Sequence, residues 1–500
     1  MKINLKPALG IGVIASVPLV SCQNSGKQET SKPNILMILL DDYGYSDVGC
    51  YGSKFYETPN IDRLASQGIM FTDAYASCPV SSPTRGSILT GKYPVNTGIT
   101  EWIPGRQATD YGAPYDKLLP LPFKLFLDPE EVTVAEMLKT KGYTTMISGK
   151  WHLGEDPAYW PENQGFDVNK GGYKAGQPFV TATANGYFSP YGNPRLDDGP
   201  PGEYLTDRQT DEAIRFIENN REKPFFVLLS YYAVHTPLQA KEQHIKKFTE
   251  KADSMGLSSI SPFTRDKDWI KPSMPDDFRE RIIQSNPVYA AMIWSVDENI
   301  GRVLARLEEL GIDGNTVVIV TSDNGGLATS IGSPTCNAPL RAGKGWLYEG
   351  GIRVPLIVRY PGLKSPAKVV DYPVSSVDFY PTFAEIAGYD CSNEKIDGIS
   401  FLSSLSGRNP EDRPLFWHYP HYNNRGVEPG SAIRLGKYKL IDNFERERQE
   451  LYDLENDISE TTDISASNPE KTRELFTLLN DWRALTGAKM MLPNPAWKKE

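Results

Sequence analysis

Short runs that are apolar at every position alternate along this chain with longer stretches in which apolar residues recur every three or four. Asn34-Ile-Leu-Met-Ile-Leu-Leu40 follows Pro33 and offers no polar face, as a strand covered on both sides would. Tyr143 to Ile147, Phe225 to Leu229, Val317 to Val320 and Val354 to Val358 repeat the pattern. Helical spacing lies between them. The clearest case puts Tyr289, Met292, Ile293, Val296, Ile300, Val303, Leu304, Leu307 and Leu310 on one face, with Gly311 as its cap. Buried strands alternating with amphipathic helices predict an α/β fold, a large α/β/α domain with a mixed, mostly parallel central sheet over residues 33–405.

The texture changes after Arg413. Leu415 to Tyr419, Ser431 to Leu435, Tyr438 to Asp442 and Glu450 to Asp453 are short segments parted by turn residues, and Pro469 to Leu485 has helical spacing. They predict a smaller C-terminal subdomain, residues 406–500, built of an antiparallel sheet and one helix.

The N-terminus reads differently. Lys2 and Lys6 precede an apolar stretch, Ala8 to Val20, that is broken by glycines and Pro18 and is too short to span a membrane. Residues 1–21 are expected to be an export signal. Leu19-Val20-Ser21-Cys22 resembles the lipobox of bacterial lipoproteins, which implies cleavage before Cys22 and a lipid on its thiol. Residues 22–32 would be a polar tether. The protein is therefore expected to be exported, periplasmic or at the cell surface of a bacterium, touching the membrane only through the anchor at Cys22.

Composition narrows the function classes. Charged residues at 23% and hydrophobic ones at 39% are ordinary for a globular domain. The net charge of -10, moving to -12 once Lys2 and Lys6 are removed, argues against nucleic acid as a partner. Cys50, Cys78, Cys336 and Cys391 follow no zinc spacing, and their pairing is left open.

Chemistry gathers at strand ends. Asp41 and Asp42 follow the first strand immediately, and Asp323 and Asn324 follow Val317 to Val320 in Thr321-Ser-Asp-Asn-Gly-Gly326. In an open α/β sheet ligands bind beyond such ends. Three carboxylates and an amide form an all-oxygen set that suits Ca²⁺, with Mg²⁺ as the alternative. Each pair taken alone would equally well cap a turn. Ser81-Ser-Pro-Thr-Arg85, closed by Leu89-Thr-Gly91, reads as a helix start, where unpaired N–H groups and the helix dipole favour an anion.

Together these segments resemble the formylglycine-dependent sulfatases, the arylsulfatase-like branch of the alkaline phosphatase superfamily. That family's motif is Cys or Ser, any residue, Pro, any residue, Arg, and here it stands as Ser81-Ser82-Pro83-Thr84-Arg85. Gly86 replaces the Ala usual at the next position. The resemblance implies that Ser81 is oxidised to formylglycine by a serine-type maturase, that the product is the nucleophile and also a metal ligand, and that Arg85 holds it. It implies that Lys150 and His152, in Gly149-Lys-Trp-His-Leu-Gly154, clamp sulfate and accept a proton. His235, in Tyr231-Tyr-Ala-Val-His-Thr-Pro237, would protonate the leaving oxygen, and Lys344 would be the second sulfate-binding lysine. The chain holds five His, so two in such motifs is informative.

The substrate implied is a sulfated glycan or oligosaccharide. Arg353 and the run Trp417-His418-Tyr419-Pro420-His421-Tyr422-Asn423 carry groups that stack on or hydrogen-bond to sugars, and equally could be interface packing. Similarity to bacterial exo-sulfatases suggests galactose or N-acetylgalactosamine, with sulfate on the 4-hydroxyl. Two other readings stay open: a phosphomonoesterase or phosphodiesterase of the same superfamily, and a catalytically dead glycan-binding lipoprotein.

Overall fold

Seven of the eight strands in the main sheet run the same way, so their carboxyl ends gather along one edge. The computed structural model of the protein describes residues 32–106, 116–270, 274–362 and 368–497. The expected signal segment, Cys22 and nearly all of the tether lie outside the described residues. Lys32–Glu500 pack as one unit, within which the small sheet and the large one share buried surfaces.

The strands are β1 (Asn34–Leu40), β2 (Ile69–Phe71), β3 (Thr144–Gly149), β4 (Val168–Lys170), β5 (Phe225–Ser230), β6 (Thr316–Ser322), β7 (Leu356–Arg359) and β8 (Lys368–Val370). Their order across the sheet is β8-β2-β7-β6-β1-β5-β3-β4. Every residue of β1, β5 and β6 is buried, which explains why these strands read as unbroken apolar runs. Only β7 is reversed, pairing antiparallel with both β6 and β2.

Register then decides what meets. Leu40 pairs with Ser322, Leu39 with Ser230, and Gly149 with Ser230. The residues that follow, Asp41, Lys150 and Asp323, therefore leave the sheet side by side.

Helices α1 (Pro59–Gln67), α2 (Ser81–Thr90), α3 (Val134–Thr140), α4 (Leu205–Asn220), α5 (Glu242–Ser254), α6 (Pro287–Glu309) and α7 (Phe379–Ala387) flank the sheet. They fall into two groups: α6 packs against α1, α4 and α5, while α7 packs against α2 and α3. Helix α6 begins where Asn286 accepts the N–H groups of Val288 and Tyr289, with Pro287 in the first turn. Gly311, at φ 68°, ends it in the left-handed conformation that the sequence predicted for its cap. Its stripe is buried from Tyr289 to Leu307, each large apolar side chain contributing about 1.5–3 kcal/mol relative to exposure. A charge at Ile300 would therefore break this helix's seat.

The C-terminal strands, β9 (Leu415–Tyr419), β10 (Gly430–Leu435), β11 (Tyr438–Asn443) and β12 (Arg448–Asp453), form an antiparallel meander. Helix α8 (Pro469–Thr486) lies on it, with Trp482 stacked on Phe416 at 4.7 Å between ring centroids. Tyr93 of the large part meets Trp482 edge-on at 5.6 Å, and Trp417 donates its indole N–H to the Ala76 carbonyl at 2.8 Å. Cys50, Cys78, Cys336 and Cys391 are all free thiols, so no disulfide joins them. Among the described residues no helix is long and apolar enough to cross a membrane.

Candidate active site

The strand ends deliver Asp41, Asp42 and Asp323 into one buried cluster whose carboxylate oxygens lie within 4.8 Å of one another. Asp42 adopts the left-handed conformation, φ 58°, and this reversal turns its carboxylate back toward the sheet edge. The strained turn is held from several sides. The Asp42 N–H donates to Asp323 Oδ1 at 3.2 Å, and the Tyr43 N–H to Ser322 Oγ at 3.0 Å. The Asp42 carbonyl accepts from the Tyr289 hydroxyl at 3.3 Å.

Ser81 arrives from another direction. It is the first residue of α2, preceded by the extended Val80, and Pro83 sits in the first turn. The helix thus starts at the serine itself, two residues before the proline. Ser81 Oγ lies 3.3 Å from Asp41 Oδ1 and 3.3 Å from Asn324 Oδ1, and accepts from Lys150 Nζ at 3.2 Å. Backbone N–H groups at the helix start add positive potential there.

Three cations surround the carboxylates. Lys150 bridges both Asp41 oxygens at 2.8 and 2.7 Å, and Lys344 donates to Asp42 Oδ2 at 2.7 Å. Arg85 joins the same cluster. Its Nε and Nη2 donate to Asp323 Oδ2 at 2.9 and 2.7 Å, and its Nη1 to Ser230 Oγ at 2.7 Å. The fork fits a carboxylate, and the nearest one in register is Asp323.

Burial pushes the Asp41 carboxyl up to about 8 despite Lys150, with Asp323 and Asp42 adding to the rise. Burial also acts on Asp42 and Asp323. It is the largest single influence on each, but the surrounding cations together outweigh it, led by Lys344 at Asp42 and by Arg85 at Asp323, so both are held below the usual carboxylate range. Converging acids that raise one another's pKa are a fit for a hard divalent cation, which would relieve the repulsion. Asp41, Asp42, Asp323 and the Asn324 amide oxygen are the groups that would hold it.

Two histidines flank the cluster. His152, also left-handed at φ 62°, places Nε2 2.5 Å from the Ile103 carbonyl. A carbonyl only accepts, so Nε2 carries the hydrogen and Nδ1 keeps a free lone pair. That Nδ1 is buried and without a partner. Burial first, then Lys150, hold the ring well below its ordinary pKa and hence neutral. His235 Nδ1 lies 2.8 Å from the Thr236 carbonyl, and Nε2 lies 3.6 Å from Asp42 Oδ2. Burial and Lys344 pull it down to about 3, against the opposing pull of Asp42.

The structure does not bring Arg353, His418 or His421 to this cluster. Arg353 spends its donors on Glu349, Asp73, the Tyr75 hydroxyl and the Thr72 carbonyl. His418 is fixed between Ser431 Oγ at 2.6 Å and the Lys489 carbonyl at 2.9 Å. His421 is buried against Phe123 and Tyr419, with Nε2 2.9 Å from Thr100 Oγ1. Arg353 and His418 are thus taken up by the protein's own groups, and His421 by one ring nitrogen and two aromatic neighbours, as in interface packing.

Sequence reading missed Asp47. It is fully buried and accepts from the Gly44 N–H at 2.9 Å, the Tyr289 hydroxyl at 2.7 Å and Thr335 Oγ1 at 2.7 Å, bracing the turn that carries Asp42. The available signal was local: an acid three residues beyond Gly44 can close the turn on it.

Comparison with known proteins agrees with this geometry. The sulfatase family model matches residues 33–389, and the model of the N-sulphoglucosamine sulphohydrolase C-terminal region matches residues 342–483. A sulfatase of Formosa agariphila is 32% identical over 96% of this chain and 93% of its own length. The N-acetylgalactosamine-6-sulfatase of Canis lupus familiaris is 31% identical over 81% of this chain and 71% of its own. The crystal structure of Ps i-CgsB in complex with k-i-k-neocarrahexaose superposes with a TM-score of 0.71 at 30% identity, covering 90% of this chain and 93% of that one. The fold is also that of the phosphonate monoester hydrolase of Agrobacterium radiobacter, with a TM-score of 0.61 at 19% identity over 91% of this chain and 96% of that one. Since the family match runs through every strand that supplies the carboxylate cluster, this chain belongs to the sulfatase family of sulfuric ester hydrolases.

Proposed function

We propose that this enzyme is a lipid-anchored, exported carbohydrate sulfatase that removes sulfate from the end of a glycan. The ring is galactose or N-acetylgalactosamine, and the sulfate is on its 4-hydroxyl. The observation that carries the chemistry is Ser81 Oγ, buried at a helix start within 3.3 Å of Asp41 and Asn324 and 3.2 Å of Lys150. Among the described residues no histidine hydrogen-bonds to this serine, so the usual serine–histidine route to a nucleophile is not laid out here. Oxidised by a serine-type maturase, its side chain would supply the hydrated aldehyde, whose second hydroxyl lets sulfate be expelled again. Ca²⁺, or Mg²⁺ in its place, would supply Lewis-acid polarisation at Asp41, Asp42, Ser81, Asp323 and Asn324.

The chain's own groups do the rest. Lys150 and Lys344 bring positive charge to where sulfate oxygens would lie. The free Nδ1 of neutral His152 is a base, of a kind typically worth about 10²–10⁴-fold. An incoming sulfate ester would raise His235 above its depressed pKa and let it protonate a sugar oxygen, a poor leaving group that needs such help. Relatives support a sugar substrate: one carries the name N-acetylgalactosamine-6-sulfatase, and the Ps i-CgsB structure holds a neocarrahexaose. Another neighbour, with a TM-score of 0.67 at 25% identity, is bound to D-glucosamine-2-N,6-O-disulfate. An all-oxygen cluster without histidine ligands disfavours the two-metal phosphatase reading.

The test has two parts. Peptide mass spectrometry across Ser81, on protein made beside a serine-type maturase, is expected to show loss of two hydrogens; an intact serine sinks the mechanism. Sulfate release from the 4- and 6-sulfates of galactose and N-acetylgalactosamine should favour a 4-sulfate. Preference for a 6-sulfate would move the position, and release from none of them would remove the galacto-configured substrate.

A further inference from the structure

Against the backbone of Gly345, the residue after Lys344, the C-terminal part places the side chain of Arg425. Arg425 Nε and Nη1 are both buried and have no acceptor among the described residues. Taking such donors out of water without a partner is costly, and proteins rarely leave a charged group so.

The position is built. Gly345, the residue after Lys344, lies at φ 94°, and a Cβ there would stand 2.8 Å from Asn423 Nδ2 and Val427 Cγ2 and 3.4 Å from Arg425 Cδ. Glycine thus lets the loop Asn423–Val427 close onto the backbone of the lysine that holds Asp42. The Arg425 N–H donates to Asn423 Oδ1 at 2.9 Å, and Asn423 Nδ2 donates to the Tyr419 hydroxyl at 2.9 Å. Tyr419 in turn donates to Glu101 Oε2 at 2.6 Å, while Glu101 Oε1 accepts the Trp102 N–H at 2.8 Å. Both oxygens of Glu101 are therefore engaged, and neither takes a hydrogen bond from Arg425. Burial raises the Glu101 carboxyl to about 7, with Arg425 and Lys344 among the charges that oppose the rise. Glu101 is thus only a partial counter-charge to the guanidinium. Lys344 is committed to Asp42, while Arg425 is only partly buried as a residue and keeps donors at Nε and Nη1 for a group that reaches it from the exposed side.

We propose that Arg425 is a specificity residue that binds a second anionic group of the substrate, a carboxylate or a further sulfate, close to the sulfate ester being cleaved. The inference rests on the sulfated-sugar reading above and deepens it: the substrate would carry at least two negative charges near its end. A planar guanidinium matches either oxyanion bidentately, whereas neutral hydroxyls would leave its charge uncompensated.

The test is binding, so that turnover is not required. The full chain with Ser81→Ala is titrated calorimetrically with three probes. These are N-acetylgalactosamine 4-sulfate, N-acetylgalactosamine 4,6-disulfate, and the disaccharide in which an unsaturated uronic acid is joined to N-acetylgalactosamine 4-sulfate. At least one doubly charged probe is expected to bind about 10- to 100-fold more tightly than the singly charged one, as a charge-assisted pair predicts. A preference for the disulfate identifies sulfate as the second group, and one for the uronyl disaccharide identifies carboxylate. Adding Arg425→Gln should bring the ratio to within about threefold, with an unchanged melting temperature showing that the loop is intact. Equal affinities for all three probes, binding of none, or a preference that survives Arg425→Gln overturns the proposal. Turnover of 4-nitrophenyl sulfate by the matured enzyme, which needs no second anion, separately tests the sulfatase reading beneath it.

Discussion

Two buried charge clusters in this protein have the same inventory and opposite layouts. At the strand ends stand three acids, Asp41, Asp42 and Asp323, and three bases, Arg85, Lys150 and Lys344. Where the small sheet meets the large part stand Glu349, Glu460 and Asp73 with Lys439, Arg353 and Arg434. In the second cluster the signs alternate. Glu460 pairs with Lys439 at 2.8 Å, Lys439 with Glu349 at 2.9 Å, Glu349 with Arg353 at 2.6 Å, Arg353 with Asp73 at 2.7 Å, and Asp73 with Arg434 at 3.2 Å. In the first cluster the acids face one another within 4.8 Å and the bases stand around them. Alternation satisfies every charge and leaves nothing for a ligand. Convergence stores repulsion that a cation would relieve. Buried ionised groups by themselves therefore do not mark a site; their arrangement does.

The comparison can be broken most severely at the convergent cluster. Ser81→Ala is expected to cut sulfate release by about 10⁴-fold or more while leaving the melting temperature unchanged. Near-normal release by the variant would remove the serine from the chemistry. At the alternating cluster the effect should fall on stability. Lys439→Met leaves the buried Glu460 without its cation and Glu349 with Arg353 alone, and is expected to cost about 3–5 kcal/mol, read from denaturant unfolding. A loss under about 1 kcal/mol would show that the network is not holding the two parts together.

A divalent cation distinguishes the layouts more gently. Ca²⁺ at 100 times its Kd should stabilise the protein by about 2.7 kcal/mol, seen as a rise in melting temperature. Asp42→Asn should abolish that rise, whereas Glu349→Gln, though destabilising, should keep it. If both variants keep it, the cation binds elsewhere.

The smallest effect is a pH dependence at the packed interface. Burial pulls His418 down to about 4, so the folded state holds it neutral while the unfolded chain titrates near its ordinary value. A depressed folded pKa gives stability that is present above the unfolded pKa and lost as pH falls toward the folded one. The loss from this residue should reach about 1–2 kcal/mol by pH 5. His418→Gln should flatten that acid limb in urea titrations; an unaltered limb would assign it to other groups.

Much of the fold was legible because burial on both faces leaves a plain signature. β1 and α6 lie where unbroken apolar runs and a helical stripe placed them, and the four C-terminal strands fall within two residues of their expected limits. The reversal of β7 left no such trace, since an apolar run reads the same in either direction. At the site, residue types and positions were legible at Asp41, Asp42, Asp323, Asn324 and Ser81 because they follow strands or open a helix. The partner of Arg85 was not legible, because it depends on which strand lies next to β1.

Local pattern along the chain was enough to place the groups at strand ends, to find the serine that opens a helix, and to separate the two parts by texture. Those are local facts, set by periodicity and by what the backbone tolerates. Long-range packing settled that Arg353, His418 and His421 lie away from the carboxylates, that Asp47 braces Asp42, and that Arg425 Nε and Nη1 find no acceptor among the described residues. Each of these depends on distances between residues far apart in the chain, and such distances are fixed by strand order and register rather than by any local pattern.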